Sequence, residues 1–490
     1  MRTTREYALA GVASAAAGLG AGHLVASLVD PRTSPAAAVG SAAIDVVPRP
    51  LKDWGIATFG SYDKTVLVAT VVLVTLGIAA LVGVLARRSL PLALTASTLL
   101  ALIPTAIATT RYGAAGALTG AVTALVGGAV LVALAQRMTP PDPGRRRFVT
   151  TTTALAGGAA LAAIGALIPD TTPTARRAIP SPATRRPPLP EGLERQVPVS
   201  PLQTPVKDFY RIDIALVPPK VNPEGWSLRI NGMVENPLTI TYDELLAMPM
   251  VEADITLGCV SNEVGGDLVG GARWQGVLVS DLLRRASPHR DADMVLSSGP
   301  DGFTASTPLD VLLDGRSAMI AVAMNGEPLT QVHGFPARLV TPGLYGFVGA
   351  TKWLSQLKVT RFDRDTAYWT TRGWSARGPV KTASRIDTPT RGASLTAGAT
   401  TIGGVAWATH RGISAVEVQV DSGDWQKATL GPDVGVDYWR QWALPWDATA
   451  GRHTIRVRAV ETDGTVQTAA PAPLAPDGAS GHHTIAVTVT

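Results

Sequence analysis

The chain has little of what most redox proteins use to hold a metal. Its single cysteine, Cys259, cannot form an internal disulfide and cannot supply the four thiolates that an iron–sulfur cluster typically needs. The clustered cysteines and histidines of a structural zinc site are absent from the sequence. Of the seven histidines only His23 lies in a long hydrophobic stretch, and no C-x-x-C-H sequence occurs. These absences exclude a transmembrane haem held by two histidines and a covalently attached haem.

The sequence also lacks the motifs of several common enzyme classes. It has no G-x-x-x-x-G-K-[ST] phosphate loop, which argues against an NTPase. It has no G-x-S-x-G elbow, which argues against a hydrolase that uses Ser261 and His333. The net charge of +5 does not indicate nucleic-acid binding, because the arginines lie beside hydrophobic stretches and in a proline-rich segment. Basic residues placed in this way orient a protein in a membrane.

The first 170 residues consist mainly of Ala, Leu, Val, Gly and Thr, with few charges. Five hydrophobic stretches reach the roughly 20 residues with which a helix crosses a bilayer. None contains a carboxylate that would mark an ion path. We therefore predict an α-helical transmembrane anchor over residues 1–170, with helices over 7–29, 65–86, 89–109, 114–136 and 149–169, the third interrupted by Pro104.

Clusters of arginine give this anchor a direction. They precede the first stretch and separate the second from the third and the fourth from the fifth: Arg2, Arg5, Arg87, Arg88, Arg137, Arg145, Arg146 and Arg147. If the N-terminus is cytoplasmic, all three clusters are cytoplasmic, and five spans place everything after residue 170 outside the cytoplasmic membrane. The pair Arg145-Arg146, with Phe148, also resembles a twin-arginine export signal; a stop-transfer charge cluster is the alternative.

Residues 171–205 carry proline at nine positions, which opposes a helix and predicts a semi-extended linker. Residues 206–383 show mixed patterns that predict an α+β domain. A strand through Trp226 and Ile230 leads into Asn231-Gly232, a hairpin signal, and short helices are predicted over 241–249, capped by Thr241 or Asp243, and over 279–286.

The pattern of the C-terminal region, residues 384–490, predicts an all-β antiparallel sandwich. Short stretches alternate between apolar and polar residues, and Gly, Asp and Pro separate them. The alternating apolar positions include Val416, Val418, Val420, Ile455, Val457, Ile485, Val487 and Val489. We expect Trp439, Trp442 and Trp446 to fill the core of this sandwich or a subunit contact.

Two segments of the α+β region have residues suited to chemistry. Cys259 follows the apolar run DITL, so it is predicted at the end of a strand, and a thiolate is a soft ligand for metals such as molybdenum or copper. From the spacing alone a buried structural thiol is an equal alternative. In residues 333–353, His333, Arg338 and Lys352 are interspersed with glycines, which favours binding of an anion such as phosphate. The alternative there is that the glycines only shape turns.

These segments resemble the sulfite oxidase family of molybdopterin-dependent oxidoreductases. The similar elements, in the family's order, are DFYR (208–211), the Cys259 segment with Asn262, HGFPAR (333–338), PGLYG (342–346) and TKW (351–353). Residues 206–383 are similar to its molybdopterin domain and residues 384–490 to its immunoglobulin-like dimerisation domain. The resemblance does not extend to the membrane region.

The resemblance implies a fold, a cofactor and a set of site residues. The cofactor is molybdenum-molybdopterin, with Cys259 as the catalytic protein ligand of the metal. Arg211 is implied to be catalytic, near the substrate, and also to bind the cofactor, together with Tyr210, His333, Arg338, Thr351 and Lys352. The implied reaction is the transfer of one oxygen atom and two electrons. The sequence departs from the sulfite oxidases after Asn262, where Glu263 stands in place of arginines that bind sulfite, so sulfite as the substrate is in doubt.

We thus predict a multi-pass oxidoreductase of the cytoplasmic membrane with catalytic domains on the extracytoplasmic side. It would act on a small oxidisable or reducible substrate and would not bind nucleic acid. Since the sequence shows no haem domain, we expect a separate electron carrier, a cytochrome or a quinone-linked protein. The dimerisation-like domain makes a homodimer possible. The competing hypothesis is an anchored binding protein that keeps the fold without redox function.

Overall fold

The computed structural model describes residues 2–48, 51, 54–55, 58–59, 62–136, 145–167 and 178–490. They divide into two compact units. One unit contains Met1–Thr171 with Ala215–Lys220, and the other contains Thr172–Ile214 with Val221–Thr490. The first is helical, and the second holds the α+β region and the β-sandwich.

The helical unit contains hydrophobic helices that follow the predicted spans closely. The described helices are α1 (Arg2–Val29), α2 (Pro35–Val46), α3 (Asp63–Ala86), α4 (Leu90–Tyr112), α5 (Ala114–Gln136) and α6 (Arg145–Leu167). Within the described residues, four helices are long and apolar enough to cross a membrane: Thr4–Val29, Asp63–Ala86, Leu90–Tyr112 and Ala114–Gln136. They coincide with the first four predicted spans.

The remaining helices of this unit differ from the prediction in two respects. The fifth predicted span coincides with α6, whose described apolar part, Thr152–Ala166, is shorter than the other four. The short helix α2 was not predicted, because its 12 residues are too few for a span.

Pro104, which was expected to interrupt the third span, lies inside α4, and the helix continues to Tyr112. Proline is tolerated inside hydrophobic helices of membrane proteins, where neighbouring groups satisfy the backbone that it leaves unbonded.

The α+β region is built on two sheets of five strands each. The first sheet has, in spatial order, β2 (Leu238–Thr241), β1 (Ser227–Gly232), β10 (Gln356–Thr360), β5 (Met294–Ser298) and β6 (Thr304–Pro308). The second has β3 (Val251–Gly258), β4 (Val269–Leu278), β7 (Met319–Met324) and β8 (Glu327–Pro328), with β9 (Arg338–Val340) paired to β7. Short helices connect them: α7 (Tyr242–Ala247), α8 (Val279–Ala286), α9 (Leu309–Leu313) and α10 (Gly346–Gly349).

The local predictions in this region are largely confirmed. Helix α8 has the predicted bounds, and α7 begins after Thr241, whose side chain and that of Glu244 cap the helix reciprocally. The cap is therefore Thr241 and not Asp243. Strand β1 ends at Gly232 and pairs antiparallel with β2, as expected of a hairpin. The connection spans residues 233–237, so it is longer than the two-residue turn that Asn231-Gly232 suggested.

The C-terminal region is a sandwich of two sheets, as predicted. One sheet has β11 (Ala383–Thr388), β13 (Gly398–Trp407), β17 (Arg440–Ala448) and β16 (Thr429–Leu430). The other has β12 (Ser394–Leu395), β19 (Thr484–Val489), β18 (Gly451–Glu461), β14 (Ile413–Val420) and β15 (Gln426–Lys427). The alternating apolar residues of β14, β18 and β19 meet in one buried core.

The three tryptophans of the sandwich have different environments. Trp442 is fully buried in the core, and Trp446 packs against it from the side. Trp439, in contrast, faces the α+β region: its indole N–H donates to Leu202 O at 2.8 Å, and its backbone N–H donates to the hydroxyl of Thr256 in β3 at 2.9 Å. Trp439 therefore lies at an interface, one of the two expected environments, but this interface joins two domains within the chain and not two subunits.

The predicted linker is extended, but its described part is not a separate spacer. Residues 183 and 184 pair with the edge of β3: the backbone N–H of Ala183 donates to Met250 O at 2.8 Å, and Thr184 forms a parallel bridge with Val251. Further on, Leu202 is buried against the sandwich. The prolines prevent a helix, and the unpaired edge of β3 supplies backbone partners that the sequence could not reveal.

Candidate active site

Cys259 lies directly after β3, at the end of a strand, as predicted. Its side chain is buried, with 8% of its surface exposed. The backbone N–H of Ser261 donates to Cys259 Sγ at 3.4 Å. Burial raises the pKa of the thiol, while that N–H and the charge of Lys352 act in the opposite direction. The surroundings alone therefore do not ionise the thiol, and a bound metal would be needed to hold it as a thiolate.

His333 and Arg338 lie at the two ends of a turn that is closed by glycine and a cis proline. Gly334 has a φ of 105°, and the Phe335–Pro336 peptide bond is cis. A Cβ at Gly334 would approach the Cα of Lys352 to 3.1 Å, so only glycine lets the turn lie against Lys352. The turn thus brings the backbones of the two predicted anion-binding segments together.

His333 presents an unused nitrogen inside the protein. Its Nε2 lies 2.9 Å from Val206 O and must donate there, because a carbonyl only accepts. Burial, reinforced by the nearby charge of Arg338, lowers the pKa of His333 to about 4, so the ring is neutral. Nδ1 is buried and has no hydrogen-bond partner among the described residues. It is therefore available to accept a hydrogen bond from a ligand.

Arg338 is a buried cation whose donors are only partly used. Nη1 donates to His333 O at 3.1 Å, and the guanidinium lies 5.0 Å from the centroid of the Trp274 ring. Its Nε is buried without a hydrogen-bond partner in the described part of the chain. Burial lowers the pKa of Arg338 to about 10, so it remains charged at neutral pH. A buried charge with unused donors indicates a site for an anion.

Lys352 is the second buried cation of the site; Arg338, Lys352 and the neighbouring Arg211 are called the cationic cluster below. Its Nζ lies 3.0 Å from the carboxylate of Asp213, and 9% of its side chain is exposed. Burial lowers the pKa of Lys352 to about 8, against the opposite effect of Asp213. The neighbouring Thr351 is fully buried and shares a hydrogen bond of 2.7 Å with the hydroxyl of Ser297. Thr351 is thus placed beside the cluster with its hydroxyl already engaged.

Tyr210 and Arg211 approach the same region from a separate segment. Tyr210 stacks on Phe209 with ring centroids 5.2 Å apart, and burial of its hydroxyl, together with the nearby Cys259, raises its pKa. Arg211 is more exposed than the other cations and donates from Nε to Asp213 at 3.1 Å. Asp213 links Arg211 to Lys352, and both Tyr210 and Lys352 lie near Cys259. The structure therefore brings these predicted site residues into one neighbourhood.

Several residues of this neighbourhood were missed by the sequence analysis. Asp213 pairs with both Arg211 and Lys352, and Asp301 is a second buried carboxylate, whose pKa is raised to about 6 chiefly by burial. Tyr345 is buried, its pKa raised to about 12 by burial and then by Cys259, and its hydroxyl accepts from the N–H of Lys381 at 3.2 Å. Of these residues, only Tyr345 lies in a motif that the sequence analysis had recognised, PGLYG. The two carboxylates lie outside the recognised motifs, so nothing in the sequence pointed to them.

The loop after Cys259 is supported by the sandwich. The amide oxygen of Asn262 accepts from Leu268 N–H at 2.8 Å, which closes the loop, and Glu263 and Val264 are exposed on it. Arg385 donates to Gly266 O at 2.7 Å, and a Cβ at Gly265 would collide with the ring of His483. The sandwich therefore positions the loop that follows the thiol, a role that was not predicted for it.

The residues present fit a metal that arrives within an anionic organic cofactor. Among the residues that the structure describes, no three His, Cys, Asp or Glu side chains are grouped so as to hold a metal ion. A metal at Cys259 would therefore need most of its ligands from a cofactor. The unused Nδ1 of His333, the unused Nε of Arg338 and the buried charge of Lys352 suit a ligand with hydrogen-bond donors and a phosphate.

Comparison with known proteins agrees with this chemistry. Residues 215–369 match the family described as oxidoreductase molybdopterin binding domain, and residues 383–457 match the bacterial Ig domain. The uncharacterized oxidoreductase YuiH of Bacillus subtilis is 32% identical over 180 residues, which are 37% of this chain and 87% of that protein. Mitochondrial sulfite oxidase of Mus musculus is 29% identical over 306 residues.

The sulfite oxidase match covers 52% of this chain, and the chain spans 56% of the length of that relative. In structure, the sulfane dehydrogenase SoxCD of Paracoccus pantotrophus shares the fold, with a TM-score of 0.50 and 24% identity over 58% of this chain and 80% of that one. These matches imply molybdenum-molybdopterin as the cofactor and a molybdenum-dependent oxidoreductase. The chain therefore belongs to the sulfite oxidase family of molybdopterin-dependent oxidoreductases.

Proposed function

We propose that this oxidoreductase transfers an oxygen atom to or from a small substrate at a molybdenum centre ligated by Cys259, and that it does so while anchored to a membrane. The observation that carries the proposal is the single buried thiol at the end of β3, beside a cluster of buried cations with unused donors. When bound, the cofactor supplies transfer of one oxygen atom with two electrons. The protein supplies binding, orientation and charge.

Each site residue has a distinct task in this proposal. Cys259 holds the metal and does not act as a nucleophile. Arg338 and Lys352 bind the phosphate of the cofactor, and His333 accepts a hydrogen bond at Nδ1 from the pterin. Tyr210 and Thr351 line the same site. Arg211, the exposed cation of the group, stands between the cofactor and the substrate side.

The loop after Cys259 favours some substrates over others. Two carboxylates, Glu263 and Asp267, are exposed on it. A dianion such as sulfite would be repelled by these carboxylates as it approached the metal. We therefore propose a substrate with less negative charge than sulfite, and either direction of oxygen transfer is compatible with the site.

The electrons exchanged at this centre need a separate carrier. The described part of the chain holds no residues grouped to bind a second metal. We propose a cytochrome or a quinone-linked protein as the carrier, and a homodimer formed through the sandwich, which resembles a dimerisation domain. For the membrane region we propose five spans, a cytoplasmic N-terminus and catalytic domains outside, with Arg145 and Arg146 as a working export signal. Four of these spans have described helices long enough to cross a bilayer.

The first test is elemental analysis of the purified full-length protein for molybdenum, with Cys259→Ser as the comparison. We expect about one molybdenum per chain in the unchanged protein. Cys259→Ser should fold nearly normally, because serine has almost the same shape, but it should abolish turnover. Circular dichroism checks the fold, and reduction of candidate sulfoxides and N-oxides or oxidation of sulfite checks turnover.

The outcomes separate the two hypotheses. An active Cys259→Ser enzyme would contradict the role of the thiol as the metal ligand. Absence of molybdenum in protein from cells shown to make the cofactor would favour the anchored binding protein that lacks redox function. In that case the cationic cluster would serve another anion or none.

A further inference from the structure

The anion site contains its own negative charge. The carboxylate of Asp213 accepts from Lys352 Nζ at 3.0 Å and from Arg211 Nε at 3.1 Å, and only 5% of its side chain is exposed. It is thus buried among the cations that are proposed to receive the phosphate. Arg338, by contrast, contacts a carbonyl and an aromatic ring, and none of its described hydrogen bonds goes to a carboxylate.

This arrangement has two opposite effects. Burying the ammonium of Lys352 without a counter-ion is unfavourable, so Asp213 stabilises the protein before a cofactor binds. A phosphate that approaches Lys352 meets the charge of Asp213 at close range in a buried site, where repulsion between like charges is poorly screened. Asp213 therefore opposes every anion that depends on Lys352 alone.

We propose that Asp213 is a specificity-determining residue of this site. It stays paired with Lys352 until the cofactor binds, and it thereby excludes small anions such as inorganic phosphate. A ligand that is also held elsewhere, by its metal at Cys259 and its pterin at His333, has enough additional contacts to overcome the repulsion. The inference rests on the proposed function, since it takes the cluster of Arg338 and Lys352 as the phosphate site of the cofactor.

A second buried carboxylate near Lys352, that of Asp301, supports the same inference. It lies between β5 and β6, accepts from the N–H of Phe303 at 3.2 Å, and interacts electrostatically with Asp213 and Lys352. Burial and the like charge of Asp213 raise its pKa, to about 6, while Lys352 and the Phe303 N–H act against this. Above that pH, Asp301 adds negative charge to the site; below it, Asp301 is neutral and adds none.

The experiment uses full-length protein purified from cells that cannot make molybdopterin, with inorganic phosphate as the probe and calorimetry as the readout. Asp213→Asn keeps an oxygen that accepts from Lys352 but removes the charge. Because Asp213 also raises the pKa of Lys352, affinities are compared at pH 5.5, well below the pKa of about 8 that Lys352 has in the unchanged protein. We expect it to bind phosphate roughly tenfold or more tightly than the unchanged protein, since removal of 1.4 kcal/mol of repulsion is a factor of ten. Asp213→Glu, which keeps the charge, should bind as weakly as the unchanged protein.

The matched control is Asp281→Asn on α8, which removes an aspartate paired with an arginine on the surface. It should leave phosphate affinity unchanged. Phosphate affinity of Asp213→Asn equal to or weaker than that of the unchanged protein would overturn the inference, because a carboxylate that only orients Lys352 would not oppose anions.

A second variant keeps the inference testable if Asp213→Asn does not fold. Asp301→Asn removes the other carboxylate without removing the partner of Lys352. With sulfate, whose charge is constant over this pH range, the variant should bind several-fold more tightly than the unchanged protein at pH 7.5 and equally at pH 5. Equal binding at both values would contradict the inference.

Failure of the proposed function can be told apart from failure of this inference. A protein without molybdenum would reject the proposed function whatever its phosphate affinity. A protein with one molybdenum per chain whose Asp213→Asn variant gains no phosphate affinity would reject the role of Asp213 alone.

Discussion

Lys352 and Arg338 are buried charges, and we propose that they bind an anionic part of the cofactor. Burial lowers the pKa of Lys352 to about 8 and that of Arg338 to about 10, so both are charged at neutral pH. Such shifts are common where a site is built for a charged ligand. The thiol of Cys259, close to Lys352, is the group that we propose for the metal end of the same ligand.

Removal of the charge of Lys352 is expected to weaken cofactor binding. Lys352→Gln keeps most of the length of the side chain and its ability to donate a hydrogen bond. It removes the charge that would bind the phosphate and leaves Asp213 paired with one cation fewer. We expect the molybdenum content after dialysis to fall about tenfold. Lys358→Gln is the matched control: Lys358 pairs with Asp365 near the surface of β10, and its loss should leave the content unchanged. A full molybdenum content in Lys352→Gln would contradict the assignment.

Titration of His483 is expected to make the protein less stable at acidic pH. Its Nδ1 accepts from Ile386 N–H at 3.0 Å, and burial, followed by Arg391 and Arg385, lowers its pKa to about 4 from 6.5. Between those values the unfolded chain binds a proton at this site that the folded chain does not, so stability is lost as pH falls from 6.5 towards 4. His333, with its pKa also near 4, acts in the same direction.

His483→Asn tests this contribution, since the asparagine oxygen can still accept from Ile386. At pH 5 the variant should take up about one proton fewer on unfolding, and its unfolding temperature should fall less between pH 7.5 and pH 5 than that of the unchanged protein. Thermal unfolding at the two pH values measures the difference. The same fall in both proteins would show that His483 does not titrate as described.

At the scale of secondary structure, β3 ends directly before Cys259, and both β3 and β4 contact the proline-rich segment 178–205. Arg273 in β4 forms two hydrogen bonds with Asp254 in β3, at 2.8 and 2.9 Å, and its Nη2 also donates to Pro187 O at 2.7 Å. Only 3% of the Asp254 side chain is exposed. This buried pair therefore connects both strands with residues 178–205.

Loss of Asp254 is expected to destabilise the catalytic unit strongly. Asp254→Ala leaves Arg273 largely buried without its carboxylate, and breaking such a pair costs roughly 3–5 kcal/mol. We expect the unfolding temperature to drop by about 5–10 °C or more. Asp281→Ala, which breaks an exposed pair with Arg284, should change it by less than about 2 °C. Equal effects of the two variants would show that the buried pair is not important for stability.

At the scale of the whole molecule, the α+β region and the sandwich form one compact unit, and the hydrophobic helices form another. A shared hydrophobic cluster that includes Val260, Phe347, Trp407 and Trp439 joins the two folded domains next to Cys259. Because Val260 directly follows the thiol, the sandwich contributes to the environment of the site.

The proposed orientation of the membrane region can be tested by export. The double variant Arg145→Lys, Arg146→Lys keeps the positive charge but removes the arginine pair, so the folded catalytic unit should stay inside the cell. Protease added outside intact cells should then fail to cleave it. Arg87→Lys with Arg88→Lys is the matched control and should be cleaved normally. Normal cleavage of the Arg145, Arg146 variant from outside would show that export does not depend on this pair.

Features that depend on short stretches of chain could be predicted from the amino-acid sequence. The hydrophobic runs of the membrane region, the capped helix after Thr241 and the alternating strands of the sandwich follow from local pattern, since burial of one face or of a whole segment needs only periodicity or length. The proposed site residues of the glycine-rich segment also come from local motifs, because the resemblance to a known family rests on contiguous stretches of sequence.

Contacts between residues far apart in the chain became known only from the folded structure. Asp213 reaches Lys352 across 139 positions, Trp439 reaches Leu202 across 237, and the strand-edge pairing turns a proline-rich linker into part of the folded unit. A carboxylate two residues after Arg211 carries no local sign of the lysine it will meet. Charge pairing and packing are set by distance in space, and short-range pattern contains no information about that distance.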